Sequence, residues 1–168
     1  TWANIGNWSV SPVPGDGGTA TFNGTGNGNT AIDLGVGITL GNLIFDTSSA
    51  AAFTIGTNGN QNLTLGDNGA IKRNGTVTRD ERINAAIRLG TAVASSHSFS
   101  NDGAAGTLTF AGDIAGGSGG DAGAKTLTLS GAGNTDISGA IADGGAASLT
   151  LTKTGTGTLT LTGANGYS

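Results

Sequence analysis

Short runs in which an apolar residue alternates with threonine recur along the chain, and glycine-rich text bounds each of them. The end of the chain contains two such runs, LTLT at residues 149–152 and again at residues 159–162. Alternation with a period of two gives an extended strand one apolar face and one hydroxyl face. The pattern also occurs upstream, at residues 63–65, 108–110 and 127–129. A unit that cannot bury its own apolar face, repeated along a chain, indicates a solenoid.

The repeat is most regular from residue 107 onward. Three units of unequal length begin at Thr107, Thr126 and Ser148, and the last of them ends at Ser168. Each opens with the alternating run, turns at glycine and then offers a second apolar patch. A unit of about 20 residues matches one coil of a parallel β-helix, with neighbouring coils about 4.8 Å apart. We therefore predict an all-β fold, a β-solenoid of roughly eight short coils and roughly 40 Å in length.

Composition excludes several classes of protein. The 168 residues are most simply one domain, 1–168, with 33 glycines, 11% charged residues and a net charge of −4. That charge gives no indication of a nucleic-acid surface, and no apolar run approaches the roughly 20 residues that span a bilayer. Without cysteine there is neither a disulfide framework nor a thiolate metal site. Methionine is absent even at position 1, which favours a processed or excised chain located outside the cytoplasm.

The domain divides into three parts by pattern. Residues 1–24 hold both tryptophans and both prolines, and we predict that they form an N-terminal cap or docking segment. Residues 25–106 are predicted to form irregular coils, and residues 107–168 regular coils of about 20 residues. Within residues 72–100, where five of the seven basic residues lie, the spacing suits strands or a short helix, and we favour strands. That basic stretch is interpreted either as a solvated arginine–carboxylate cluster on the flank of the solenoid or as a contact surface for a neighbouring chain.

The last unit, LTKTGTGTLTLTGANGYS, resembles the passenger-associated repeat of bacterial autotransporters. The residues that match the family's phrase are Leu151, Lys153, Gly155, Gly157, Leu159, Leu161, Gly163, Asn165 and Tyr167. The opening of the chain is similar to the start of many bacterial surface proteins that carry such repeats. The resemblance implies a right-handed parallel β-helix, exported to or beyond a bacterial surface, that serves as a stalk, an adhesin or a structural fibre.

Three groups of residues are candidates for chemical sites. His97 is the only histidine and lies between Ser95 and Asp102, but no nucleophile-elbow phrase surrounds these serines. Asp113 and Asp136 precede comparable isoleucines and could stack on one face, although turn or strand-edge roles are favoured. Residues 116–121, GGSGGD, match one copy of a calcium-binding repeat that normally occurs in tandem, so a glycine loop is favoured. We therefore predict no catalytic, cofactor-binding or metal-binding residue.

The function expected from these features is that of a non-catalytic extracellular structural protein, a β-solenoid subunit of a bacterial surface fibre that assembles head-to-tail. A solenoid end presents unpaired backbone groups over an apolar core and invites another coil to dock. The contact candidates at the two ends are Trp2, Trp8, Phe22, Leu149, Leu151, Leu159, Leu161 and Tyr167. The alternatives are an adhesin that binds surface glycans through exposed aromatic residues, an ice-binding protein with Thr-x-Thr rows, and a polysaccharide-degrading β-helix enzyme. Ice binding would need Thr-x-Thr rows that align from coil to coil, and the unequal unit lengths are expected to shift these rows out of alignment.

Overall fold

A computed structural model shows an all-β chain in which every strand pairing among the described residues is parallel. It describes residues 1–9, 12–90, 93–117 and 123–168. Apart from two short 3-10 helices, Ile5–Asn7 and Gly26–Gly28, the regular elements of these residues are strands. The strands are β1 (Thr19–Phe22), β2 (Ala31–Ile32), β3 (Ile38–Phe45), β4 (Thr54–Ile55), β5 (Asn62–Arg73), β6 (Glu81–Ile83), β7 (Ala86–Leu89), β8 (Ser95–Asn101), β9 (Leu108–Phe110), β10 (Ile114–Ala115), β11 (Lys125–Ser130), β12 (Thr135–Ile137), β13 (Ile141–Ala142), β14 (Leu149–Lys153) and β15 (Leu159–Leu161).

The strands form three faces that wind around one core. The first face contains the first halves of β3 and β5, followed by β7, β10 and β13. The second face contains β1, the second halves of β3 and β5, then β8, β11 and β14. The third face contains β2, β4, β6, β9, β12 and β15. The chain visits the faces in the same order in every turn, which makes the fold a parallel β-solenoid.

One turn of this solenoid is longer than the sequence repeat. On the second face one turn carries the chain from Thr19 to Asn42, and a later turn carries it from Ser95 to Lys125. The solenoid therefore has about five turns and is about 25 Å long at the usual strand spacing. The predicted eight coils of about 20 residues are not confirmed, because the alternating run occurs on two faces of one turn. The runs that begin at Leu149 and Leu159 lie in the same turn, on the second and third faces.

Alternation decides which side chains enter the core. In β8 and β11 every second residue is buried, and the residues between them are exposed or half-buried. The core is a column of leucine, isoleucine and phenylalanine side chains, in which Phe99 and Phe110 stack with ring centroids 4.7 Å apart. Burying such side chains contributes about 1.5–3 kcal/mol each, an upper estimate because unfolded chains bury some apolar surface already.

Differences in turn length are absorbed at the corners between the faces. The first and second faces are separated by Gly41 alone in β3, but by residues 66–69 in β5. Gly41 must be glycine, because a Cβ there would lie 2.6 Å from the Gly17 carbonyl oxygen. Between residues 72 and 100, the described residues form strands and no helix, as predicted. Strand register is thus preserved along each face while the corners vary.

Candidate functional site: the last rung and the buried polar clusters

The last turn leaves part of the core uncovered. In the part of the chain that the structure describes, β14 pairs only with β11, and β15 pairs only with β12. Leu151, Leu159 and Leu161 are half-buried there. One rung earlier, the partners of Leu151 and Leu161, Leu127 and Ile137, are fully buried. Within the described residues, the last rung therefore combines strand edges with half-buried apolar side chains.

On the first face, the final residues of the chain close over the same end. Gly166 forms a parallel bridge to Ala142. The Asp143 carboxylate accepts hydrogen bonds from the Ser168 amide and hydroxyl, each at 3.0 Å, and from the Leu149 amide at 2.7 Å. The hydrogen bond from the Ser168 amide lowers the pKa of Asp143. Tyr167, a predicted contact residue, is 36% exposed beside these groups.

The predicted contact residues at the other end form an aromatic cluster. Trp2 is 4% exposed, and its ring centroid lies 4.7 Å from that of Trp8 and 6.2 Å from that of Phe22. The Trp2 indole N–H donates to the Pro14 carbonyl, and the Trp8 indole N–H donates to the Trp2 carbonyl, both at 2.9 Å. Phe22 also packs on Phe45. The tryptophans therefore pack against each other and against the core, so neither is an open platform for a sugar ring.

Exposed apolar side chains occur near both ends of the solenoid. Ile5 is 54% exposed in the N-terminal segment, and Val36 is fully exposed after β2. Tyr167 and the half-buried leucines of the last rung lie at the opposite end. Val93, 54% exposed just before β8, lies in the middle of the rod, so exposed apolar side chains are not confined to its ends.

A first buried polar cluster lies where the first face meets the second. His97 and Ser95 point inward from β8, and the His97 Nε2 atom is 2.9 Å from the Ser95 Oγ atom. Lys125, only 1% exposed at the start of β11, donates to the Ser95 hydroxyl at 3.3 Å and to the Val93 carbonyl. Asp102, a candidate triad partner for His97, instead forms an ion pair with a lysine of β5, Lys72, at 3.2 Å. The structure thus brings together Ser95 and His97 but not Asp102.

A second buried polar cluster lies where the second face meets the third. The guanidinium of Arg73, which is fully buried, donates to the carbonyls of residues 77, 79, 103 and 105 and to the Asn101 side chain. These bonds tie the turns of two successive coils together. Glu81, also fully buried, accepts from the Phe53 amide at 2.8 Å through Oε2, while Oε1 has no hydrogen-bond partner. Burial is the main reason that the pKa of Glu81 is raised to about 8.

For Arg73 alone, this second cluster corrects the interpretation of the basic stretch as a solvated surface. Arg79, Arg82 and Lys72 do reach solvent, but Arg73 does not. The burial of Arg73 could have been predicted from the sequence. Arg73 lies two residues after Ile71 on one strand, so both side chains point toward the core.

The paired aspartates do not converge. Asp113 precedes β10 on the first face and accepts from the Ala140 amide at 2.8 Å, whereas Asp136 lies within β12 on the third face. The alternative in which the two aspartates stack on one face, which the sequence analysis did not favour, is therefore excluded. Most of the GGSGGD segment lies outside the described residues, and so nothing tests its assignment as a loop.

Among the residues that the structure describes, no three histidine or acidic side chains are grouped as metal ligands would be, and no helix is long and apolar enough to cross a membrane.

The Thr-x-Thr rows are in register, contrary to the expected offset. Outward hydroxyls of three successive rungs align on the second face, in the columns Ser96–Thr126–Thr150 and Ser98–Thr128–Thr152. The unequal turn lengths do not disturb these columns, because the extra residues lie in the corners.

Comparison with family models, with curated proteins and with solved structures found no match. The resemblance to autotransporter repeats therefore stays a prediction.

Proposed function

We propose that this chain is a non-catalytic structural rod of a bacterial surface or extracellular fibre, and that its copies stack head-to-tail. The observation that carries the proposal is the last rung, where the edges of β14 and β15 frame three half-buried leucines. In this proposal the solenoid is right-handed, as parallel crossover connections nearly always are. The aromatic cluster of Trp2, Trp8 and Phe22 acts as the N-terminal cap and docking segment.

The partner proposed for the last rung is a second copy of the chain. Its N-terminal end offers two strand edges, because β1 and β2 each have one strand partner among the described residues, and Ile5 before β1 and Val36 after β2 are exposed. Adding β1 and β2 of one copy to β14 and β15 of another would continue the second and third faces as parallel sheets. Because the two contacting surfaces differ, repetition of the contact gives a filament rather than a closed dimer.

The test compares two neighbouring substitutions in β15. Leu161→Lys places a charge over the apolar core of the rung, whereas Thr160→Lys places the same charge on the outward, exposed side of the same strand. We expect light scattering of the unmodified chain to show a mass that grows with concentration. Leu161→Lys should reduce the protein to monomers, with unchanged circular dichroism, and Thr160→Lys should assemble as the unmodified chain does. A monomeric unmodified chain at high micromolar concentration would contradict the proposal.

A second candidate function, ice binding, is favoured by the aligned hydroxyl columns of the second face. Rungs about 4.8 Å apart, with outward side chains about 6.8 Å apart along each strand, form a regular two-dimensional array of hydroxyl groups. The six residues of the two columns are all serine or threonine, so none of them carries a charge. The array covers only three rungs, which is why it is ranked second.

A further inference from the structure

The side chains of Lys125, Ser95 and His97 form one buried chain of hydrogen-bond contacts. A lysine ammonium has only donors, so the Ser95 hydroxyl oxygen accepts from Lys125. The hydroxyl proton is then left to donate to His97 Nε2, 2.9 Å away. With the bonds in this direction Nε2 accepts and the neutral ring carries its proton on Nδ1, a buried atom without a hydrogen-bond partner among the described residues. The relay runs from Lys125 through Ser95 to His97 and requires an uncharged imidazole.

Protonation of His97 is incompatible with this relay. A proton on Nε2 would direct a second donor at the Ser95 oxygen and would leave the hydroxyl proton without its acceptor. It would also place a second positive charge about 6 Å or less from Lys125 Nζ, since both groups contact the same oxygen. Burial lowers the pKa of His97, and Lys125 lowers it further, while the Gly69 backbone and the Asp67 carboxylate act in the opposite sense.

The start of β8 is weakly held on one side. The ladder between β5 and β8 begins only at Ala70 and Ser98, beyond the bulge at residues 66–69. Before that point, the Ser96 amide donates to the Asn68 side chain at 3.2 Å. On the other side β8 pairs with β11 from Ser95 onward, and the Ser95 amide donates to the carbonyl of residue 124 at 3.2 Å. The buried relay is therefore a side-chain attachment at an end of β8 that has a strand partner on one side only.

We propose that this relay is an acid-sensitive latch, in which protonation of His97 breaks the Lys125–Ser95–His97 chain and releases the start of β8 from the core. The charged groups that face the ring are Lys125 from β11 and Asp67 from the bulge of β5. Below neutral pH, the latch would loosen the corner between the first and second faces at the start of β8, while the other corners keep their structure. It goes beyond the proposed assembly function, because it concerns the response of a single rod to acid.

The experiment is amide hydrogen exchange of the full chain between pH 7 and pH 5, corrected for intrinsic exchange rates. We expect the protection of the Ser95, Ser96 and Lys125 amides to fall by up to about tenfold for each pH unit below pH 6.5. Protection of the amides of Leu43 and Ile55, in the first turns, should not fall. A uniform loss along the chain, or constant protection at Ser95, would overturn the proposal.

Two variants separate the latch from a general effect of acid. His97→Gln keeps an acceptor toward Ser95 but cannot be charged at these pH values, and it should abolish the fall in protection. Ser98→Ala removes an exposed hydroxyl on the same strand, and this variant should still show the fall in protection. If His97→Gln does not fold, nitrogen NMR of the single histidine in the unmodified chain decides. Detection of the Nε2-protonated neutral tautomer would refute the relay.

Discussion

Glu81 should make the stability of the rod decrease as the pH rises from about 4.5 to about 8. Its pKa is raised from 4.5 to about 8, chiefly by burial, so the folded chain keeps a proton that the unfolded chain releases. Where the folded state binds more protons, the free energy of unfolding decreases with pH, by about 1.4 kcal/mol per pH unit for one proton. Below about pH 6.5 His97 works in the opposite direction, because its pKa is lowered and the unfolded state then binds the extra proton.

The contribution of Glu81 is therefore measured between pH 6.5 and 8, where His97 does not oppose it. Across it the free energy of unfolding should decrease by about 1.5 kcal/mol, since Glu81 approaches half-ionisation at the upper end. Glu81→Gln, which retains an oxygen for the Phe53 amide, should be nearly independent of pH in this window. Asp80→Asn is the matched control, because Asp80 is exposed and next in sequence, and it should preserve most of the decrease.

Urea denaturation at several pH values measures the effect. Fluorescence of Trp2 and Trp8 reports the N-terminal end, and circular dichroism reports the sheets. Agreement of the two signals establishes that the solenoid unfolds as one unit, which repeat folds do not always do. A stability that stays constant or rises from pH 6.5 to 8, or an equal decrease in Glu81→Gln, would refute the reasoning.

The remaining predictions concern the first corner and the hydroxyl columns. Gly90 has φ +72°, and a Cβ there would lie 2.5 Å from Asp67 Oδ1 and 2.9 Å from Ser95 Oγ, so Gly90→Ala should lower the free energy of unfolding by about 2–4 kcal/mol. Gly28→Ala, with φ +80° and open space around it, should cost only about 1–2 kcal/mol in the same urea titration, and equal costs would contradict the packing argument. If the second face binds ice, millimolar protein should show thermal hysteresis that Thr128→Lys abolishes and Thr109→Lys, a similarly half-buried threonine of the third face, preserves. Absence of hysteresis in the unmodified chain would exclude this function.

Local pattern predicted the strands well because alternation acts over a few residues. The runs at residues 63–65, 108–110, 127–129, 149–152 and 159–162 all contribute to strands, and their leucines point toward the core as expected. The proximity of Ser95 and His97 also follows from sequence, since residues two apart on a strand share one face. The burial of Lys125 could also have been predicted, because Lys125 lies two residues before Leu127 on the same strand and points to the same side.

The number of turns and the polar clusters depend on alignment between distant segments. Ser95 meets Lys125 only because the chain between them makes one complete turn, and the length of that turn is set at the corners. The alternating run that follows residue 107 lies on the third face, and the similar run that follows residue 126 lies on the second face. Their sequences do not show which face each one occupies. The burial of Glu81 likewise depends on the stacking of β6 near Phe53.

Negative-stain electron microscopy of the purified chain gives a direct test of head-to-tail stacking of rods through the last rung. Stacking predicts unbranched filaments whose axial repeat is about 25–30 Å, the length of one five-turn rod with its contact. Filaments should be lost in Leu161→Lys and retained in Thr160→Lys. Isolated particles of the unmodified chain at concentrations where it is folded would contradict this stacking.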